Sequence, residues 1–237
     1  MKVVAVIPAR YASTRFPGKP LTEINGKSMV NRIYEQVDSC RDVDITVIAT
    51  DDKRIYDASR AWGGRVVMTG DECVSGTDRV ARAMGNIDAD IVVNVQGDQI
   101  VLDVEALSLL ITELRQGCEM ATIAVKATED EIDDPNCVKV VRSVKGFALY
   151  FSRSPIPYVR YGGHYETLKH IGIYGFTTDT LRLFTTLDPS GLELTESLEQ
   201  LRALENGIPI KVIVSKGGFF EINTPEDKER LLEKWRS

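Results

Sequence analysis

Val3-Val4-Ala5-Val6-Ile7-Pro8-Ala9-Arg10-Tyr11-Ala12-Ser13-Thr14-Arg15-Phe16-Pro17-Gly18-Lys19-Pro20-Leu21 decides the fold. Its first five residues are a continuous apolar, largely β-branched run, the pattern of a strand buried on both faces of a parallel sheet. The remainder of the stretch cannot fill a core: it holds three cations (Arg10, Arg15, Lys19), two hydroxyls, Gly18 and two further prolines. Cations this close repel one another unless an anion neutralises them, and guanidinium forks match phosphate oxygens. The C-terminal end of a first strand is also where an open α/β sheet binds its ligand. The stretch therefore predicts a strand feeding a triphosphate grip; the alternative is a solvated basic loop after an edge strand. Neither a G-x-x-x-x-G-K-[ST] loop nor a G-x-G-x-x-G fingerprint is present. A nucleotide held by side-chain cations instead of a glycine nest points towards nucleotidyl transfer, and away from a nicotinamide-dependent oxidoreductase.

Outward from that stretch, the 237 residues suit one large α/β domain, with or without a small appendage. A net charge of −6 argues against a nucleic-acid partner and makes the N-terminal cations a local feature. Four cysteines (Cys40, Cys73, Cys118, Cys137) without a C-x-x-C pair indicate neither a zinc site nor a disulfide scaffold. Met1-Lys2 enters the strand directly and no apolar run reaches membrane-spanning length, so the expectation is a soluble cytoplasmic protein.

Strand-like and helical patterns alternate through the first half. Strands are expected at 3–7, 45–50, 65–68 and 91–95, and helices at 29–40, 55–62 (closed by Gly63-Gly64) and 77–87. This βαβα order predicts a doubly wound, mostly parallel sheet. Later come a strand at 120–125, a hairpin from 137–141 and 147–151, a strand at 170–176 and a short helix at 180–186. An amphipathic helix is expected over 196–206, with Leu198, Leu201 and Leu204 inward and Gly207 as its C-cap, then a strand at 210–214. Thr224 caps a terminal helix over 225–235. Residues of about 126–190 read as an excursion that covers the sheet edge or pairs with a second subunit.

Three motifs carry chemistry. Asn94-Val95-Gln96-Gly97-Asp98-Gln99 ends the most apolar strand, placing Asp98 at a strand tip facing the first loop. Opposite a triphosphate its natural role is to hold Mg²⁺; the alternative is a helix cap. Gly97 lets backbone approach a ligand closely. Ser75-Gly76-Thr77-Asp78-Arg79 opens a helix, with Thr77 a candidate N-cap, and beside the other motifs becomes a site for base or ribose. Arg153 and Lys169 near His170 argue for an anionic second substrate, although His170 alone reads more readily as a core residue.

These motifs, together with ATDD, YFSRSPIP, KHIGIYGF, ESLEQLRALENG and TPEDKERL, resemble the 3-deoxy-manno-octulosonate (Kdo) cytidylyltransferases in order and over essentially the whole chain. The resemblance implies a single cytidylyltransferase domain of GT-A-like fold, a homodimer, CTP and Mg²⁺, and CMP-Kdo made for lipopolysaccharide. It implies that Arg10, Arg15 and Lys19 hold the triphosphate and that Pro8, Ala9, Ser75, Arg79 and Gln96 border the nucleotide. Asp98 would ligate magnesium. Gln99, Arg153, His170, Tyr174, Glu199 and Gln200 would surround the sugar acid.

Two positions depart from the family pattern. Gln99 stands where an acidic residue is usual, and Asn223 replaces the aspartate that partners Asp98 at the metal. An extended segment would put Glu221 on the same face as Asn223, so Glu221 is a candidate substitute. Two missing negative charges favour an acceptor more anionic than Kdo, such as a small phosphonate. An amino-substituted Kdo brings a cation and is not favoured on charge. A CTP-binding homologue that lost its metal and its catalysis is the remaining alternative.

Overall fold

A computed structural model describes residues 1–12, 16–73, 75–85, 87–162 and 165–236. The chain forms two compact units, Met1–Ser108 with Gly218–Ser237, and Leu109–Gly217. The excursion expected at about 126–190 lies inside the second unit, which begins earlier and ends later.

In the first unit β1 (Val3–Ala9) is buried at every residue. Asn25 and Gly26, both at positive φ, turn the small hairpin of β2 (Glu23–Ile24) and β3 (Lys27–Ser28), as an Asn-Gly type I′ turn requires. Then come α1 (Met29–Asp38), β4 (Ile45–Thr50), α2 (Lys53–Ala61), β5 (Val66–Met68), α3 (Gly76–Met84), β6 (Ile91–Asn94) and β7 (Gln99–Val101). Strands β6, β1, β4 and β5 lie side by side in that order, all parallel. The run of βα units leaves no other simple solution: parallel neighbours need helical crossovers. A helix that the sequence patterning did not predict, α4 (Val104–Arg115), follows Asp103, whose carboxylate accepts from the Glu105 and Ala106 amides.

The second unit carries β8 (Met120–Lys126), α5 (Glu129–Ile132), β9 (Lys139–Arg142), β10 (Ala148–Ser152), β11 (Leu168–Thr177), α6 (Thr178–Thr186), α7 (Gly191–Glu196), α8 (Gln200–Glu205) and β12 (Ile210–Ser215). Its strands run β10-β9-β11-β8-β12, antiparallel except for the parallel pair β8–β12. The helix expected over 196–206 is two helices. Ser197 takes a left-handed conformation (φ 51°) that ends α7, and α8 starts only at Gln200. Leu198 and Leu201 are buried as expected, while Leu204 is half-buried. Gly207, at φ 75°, terminates α8.

The chain returns to the first unit through β13 (Phe220–Glu221), which pairs antiparallel with β7, and ends in α9 (Pro225–Arg236). Thr224 caps α9 reciprocally: its hydroxyl accepts from the Asp227 amide while the Asp227 carboxylate accepts from the Thr224 amide.

Packing in the second unit gives a direct test. A Cβ at Gly175 on β11 would sit 2.4 Å from Leu110 Cδ2 and 2.5 Å from Leu114 Cδ1. Both leucines are buried, so neither has room to yield. Gly175→Ala is expected to lower stability by about 1–3 kcal/mol, read as a lower urea midpoint at unchanged m-value.

Candidate active site

A cavity of about 420 Å³ opens where β1 and β6 end. Strand β1 contributes Pro8 and Ala9, and the loop after it contributes Arg10, Ala12, Lys19 and Pro20. Gly76 comes from the start of α3, Gln96, Gly97 and Asp98 from the loop after β6, and Asn223 from the turn before α9. The register explains the convergence: Val6 lies opposite Asn94, so both parallel strands release their loops at the same level. Gly97 has a different reason from the one expected. A Cβ there would lie 2.5 Å from the Pro8 carbonyl oxygen, so the close approach is to β1's own backbone.

Charge on the cavity wall is arranged in pairs. The Lys19 ammonium donates to Asp98 Oδ2 at 3.3 Å and to the Ile222 carbonyl at 2.9 Å. Arg10 Nη2 donates to the Cys73 carbonyl at 3.0 Å, which fixes the guanidinium at the rim. The third expected cation, Arg15, lies outside the described residues. For a metal, the cavity wall offers the carboxylate of Asp98 and, in Asn223, a side chain whose amide oxygen could be a second ligand. Among the described residues no cluster of three His, Cys, Asp or Glu side chains forms a cage. That donor set fits Mg²⁺, which takes one or two carboxylates and completes its shell with water and substrate phosphates. Glu221 faces Gln99 across the β7–β13 ribbon and does not line the cavity, so of the two candidates only Asn223 is brought there.

Three other expected nucleotide or acceptor residues lie elsewhere. Ser75, not Thr77, is the N-cap of α3, exchanging bonds with Asp78 in a capping box, and Gly76 is the motif's contribution to the cavity wall. Thr77 is buried, its hydroxyl accepting from Asn94 Nδ2 at 3.5 Å. Arg79 is 1% exposed, and its guanidinium pairs with Asp51 Oδ2 at 2.5 Å and donates to Thr69. An arginine so placed anchors α3 to the end of β4 and has no face on the cavity. Gln99 is equally buried; its amide donates to the Val101 carbonyl at 2.9 Å and the Phe220 carbonyl at 3.4 Å, stitching β7 to β13. Both were plausible as ligand contacts because their partners come from distant parts of the chain.

The expected acceptor residues other than Gln99 belong to the second unit. His170 is buried between Phe151 and Tyr174, with ring centroids 5.0 and 5.3 Å away. Two extra residues in β11, between Ile171 and Tyr174, form a bulge opposite Thr122. The Thr122 hydroxyl donates into that bulge, 2.7 Å from the Ile173 carbonyl, which leaves it to accept from His170 Nε2 at 2.9 Å. Burial drives the imidazole pKa down to about 3, so His170 is neutral. Tyr174's hydroxyl is pushed well up, first by burial and then by the charge of Glu199. Gln200 is buried with its Nε2 lacking a hydrogen-bond partner among the described residues.

The cations that suggested an anionic second substrate are engaged by the protein. Lys169 pairs with Glu131 at 2.8 Å. Arg153 donates to the carbonyls of Glu196, Pro135 and Ser197. Glu196 and Lys139, which organise this network, were not picked out from the sequence. A lysine flanked by Val138 and Val140 reads as an edge-strand residue, and nothing local signals its burial.

The family model described as cytidylyltransferase matches residues 4–213. The chain is 48% identical to the 3-deoxy-manno-octulosonate cytidylyltransferase of Acaryochloris marina, over 96% of its own length and 94% of the relative's. It is 45% identical to the 8-amino-3,8-dideoxy-manno-octulosonate cytidylyltransferase of Shewanella pealeana, over 96% of each. A solved CMP:2-keto-3-deoxy-manno-octonic acid synthetase complexed with CTP superposes with a TM-score of 0.94 at 39% identity, covering 100% of this chain and 99% of that one. The mixed α/β class with a mostly parallel sheet, expected from the alternation of strands and helices, is the fold these proteins share.

Neutral burial of His170 sets a pH dependence. Between its ordinary pKa of 6.5 and about 3 the unfolded chain binds a proton that the folded chain refuses. Stability is therefore fully present above pH 6.5 and falls as the pH drops through that window, by at most about 1.4 kcal/mol per pH unit from this residue. Urea titrations at pH 7, 6 and 5 are expected to show this slope in the wild type and a shallower one in His170→Gln. Equal slopes would show that the imidazole is protonated in the folded state.

Proposed function

The chain belongs to the cytidylyltransferase family, and from that premise we propose that it transfers CMP from CTP to the 2-keto sugar acid Kdo, releasing pyrophosphate. As an enzyme it is a nucleotidyltransferase. One observation carries the reading: a cation and a carboxylate, Lys19 and Asp98, meet at 3.3 Å on the wall of a cavity at the ends of β1 and β6. Such a wall suits a triphosphate that brings a metal with it, since phosphate oxygens seek the cations and the metal seeks the carboxylate.

The acceptor's anomeric hydroxyl oxygen attacks the α-phosphorus in line, the bond to the bridging oxygen of the β-phosphate breaks, and pyrophosphate carries the charge away. Arg10 and Lys19, with Arg15, neutralise the β- and γ-phosphates as that charge develops; the work is positioning and electrostatic stabilisation. Mg²⁺ held by Asp98 and Asn223 would withdraw charge from the α-phosphate and acidify the attacking hydroxyl. Pro8, Ala9, Gly76 and Gln96 supply the walls that seat the nucleoside. His170, Tyr174, Glu199 and Gln200 take the sugar acid, with neutral His170 orienting it and not acting as a base.

Kdo is favoured over a more anionic acceptor because Gln99, one of the two uncharged substitutions, is buried against backbone. Its side chain does not line the cavity, so of the two substitutions only Asn223 alters the wall itself. We further propose that the enzyme works as a homodimer, supported by exposed apolar side chains on the second unit, Leu149, Tyr158 and Tyr161 among them. A reducing cytoplasm is supported by four free cysteines.

Pyrophosphate release measured with CTP, Mg²⁺ and a panel of Kdo, 8-amino-Kdo and small phosphonates is expected to show turnover with Kdo. Lys19→Met and Asp98→Asn are each expected to lower kcat by about 10²–10³-fold while the far-UV spectrum is unchanged. Turnover of a phosphonate with Kdo ignored would move the acceptor class. CTP binding without pyrophosphate release for any acceptor would reject the catalytic reading.

A further inference from the structure

Lys139, the first residue of β9, has no exposed surface. Its ammonium has three protons to donate, and three carbonyls receive them: Asp134 at 2.8 Å, Cys137 at 2.6 Å and Arg153 at 2.6 Å. None of these acceptors is a carboxylate. An apolar residue of similar length would be cheaper to bury, so a cation here needs a reason. Burial also pushes its pKa down, against the nearby charges of Asp134 and Asp133.

The reason lies in what the three carbonyls join. Two belong to the turn before β9 and the third to Arg153, just after β10. Arg153 continues the connection: Nη1 donates to Pro135 in that same turn at 2.9 Å, while Nε reaches the Glu196 carbonyl at 2.7 Å. Its backbone amide donates to Glu196 Oε2 at 3.0 Å, and Ser152 Oγ donates to Glu196 Oε1 at 2.7 Å. An unbroken series of bonds therefore runs from Lys139 through Arg153 to the corner at Glu196 and Ser197. That corner, left-handed at Ser197, carries Glu199 and Gln200 directly after it.

We propose that Lys139 is a positioning residue for the acceptor: by clamping Arg153 to the turn at 134–137 it fixes the 196–200 corner whose side chains meet the sugar acid. The assignment rests on the acceptor reading given under Proposed function. Lys139 itself touches no substrate and acts only through Arg153.

Lys139→Met keeps the length and removes all three donors. Its KM for Kdo is expected to rise about tenfold or more, as happens when the groups that orient a ligand-binding residue are lost, with the KM for CTP within about twofold of wild type. Lys139→Arg, which keeps charge and donors, is expected to recover part of the loss. A purely structural lysine would lower Tm and the yield of active enzyme yet leave both KM values unchanged, and that result would overturn the proposal. Should Lys139→Met fail to fold, amide exchange in the wild type decides: Kdo is expected to slow exchange at Arg153 and residues 197–200, and unchanged exchange there would overturn it. A wild type that transfers CMP to no 2-keto sugar acid removes the acceptor reading and this assignment with it. A wild type that uses Kdo, paired with a Met variant of unaltered KM, removes this assignment alone.

Discussion

Everything at the cavity beyond β1 and β6 depends on where one ammonium sits. Lys19 reaches Asp98, 79 positions away, and the Ile222 carbonyl, 203 positions away, so the loop after β1, the loop after β6 and the turn before α9 are tied at one point. A lysine suits this node better than an arginine would. Its compact charge and rotatable donors satisfy a carboxylate and a carbonyl approaching from different directions, which a planar fork cannot. The frame beneath is rigid because β1 is buried throughout and bonded on both sides to parallel neighbours. Gly97 closes the frame by letting the β6 loop pass within contact distance of Pro8.

The second unit solves a different problem, that of keeping polar groups inside without leaving them unpaired. Thr122 fills the bulge in β11 and meets His170; Lys139 is shared among three carbonyls; Arg202 forks onto Glu193 with bonds of 2.6 and 2.8 Å. Each of these buried donors has an acceptor, backbone for Lys139 and side chain for His170 and Arg202, and each such pairing fixes one segment against another. Gln200 Nε2 and Ser190 Oγ depart from this, both buried without a hydrogen-bond partner among the described residues.

Much of this was legible in the sequence, for physical reasons that differ from element to element. Strands β1, β4 and β6 announce themselves because a sheet covered on both faces demands continuous apolar runs, and the ends of those runs locate Arg10, Lys19, Gln96 and Asp98. Helix α4 was missed because Ser108 to Thr112 is apolar nearly all round, which blurs the 3.6-residue period; only Asp103 marks its start. The break at Ser197 was invisible because Glu196 to Asn206 keeps helical spacing across a residue whose left-handed backbone tertiary contacts impose. Charged and polar residues were the least reliable guide. Arg79, Gln99, Arg153 and Lys169 look like ligand contacts until Asp51, Phe220, Glu196 and Glu131 arrive from elsewhere in the chain to satisfy them. Sequence shows that a cation is present; only the fold shows whether an anion has already been provided.

The same point bears on Asn223, the uncharged substitution that does line the cavity. With an aspartate there, two carboxylates would face each other beside Lys19 and would hold a divalent ion by themselves. With Asn223 the wall sets Asp98 against Lys19 and Arg10, a net positive charge, and a metal gains little by entering alone. Nucleotide phosphates change that sum, since they supply both the negative charge and the oxygen ligands that a hard cation prefers. Their attraction for Lys19 and Arg10 also draws positive charge away from Asp98. A metal arriving with the nucleotide would therefore lean more on the triphosphate than on this wall.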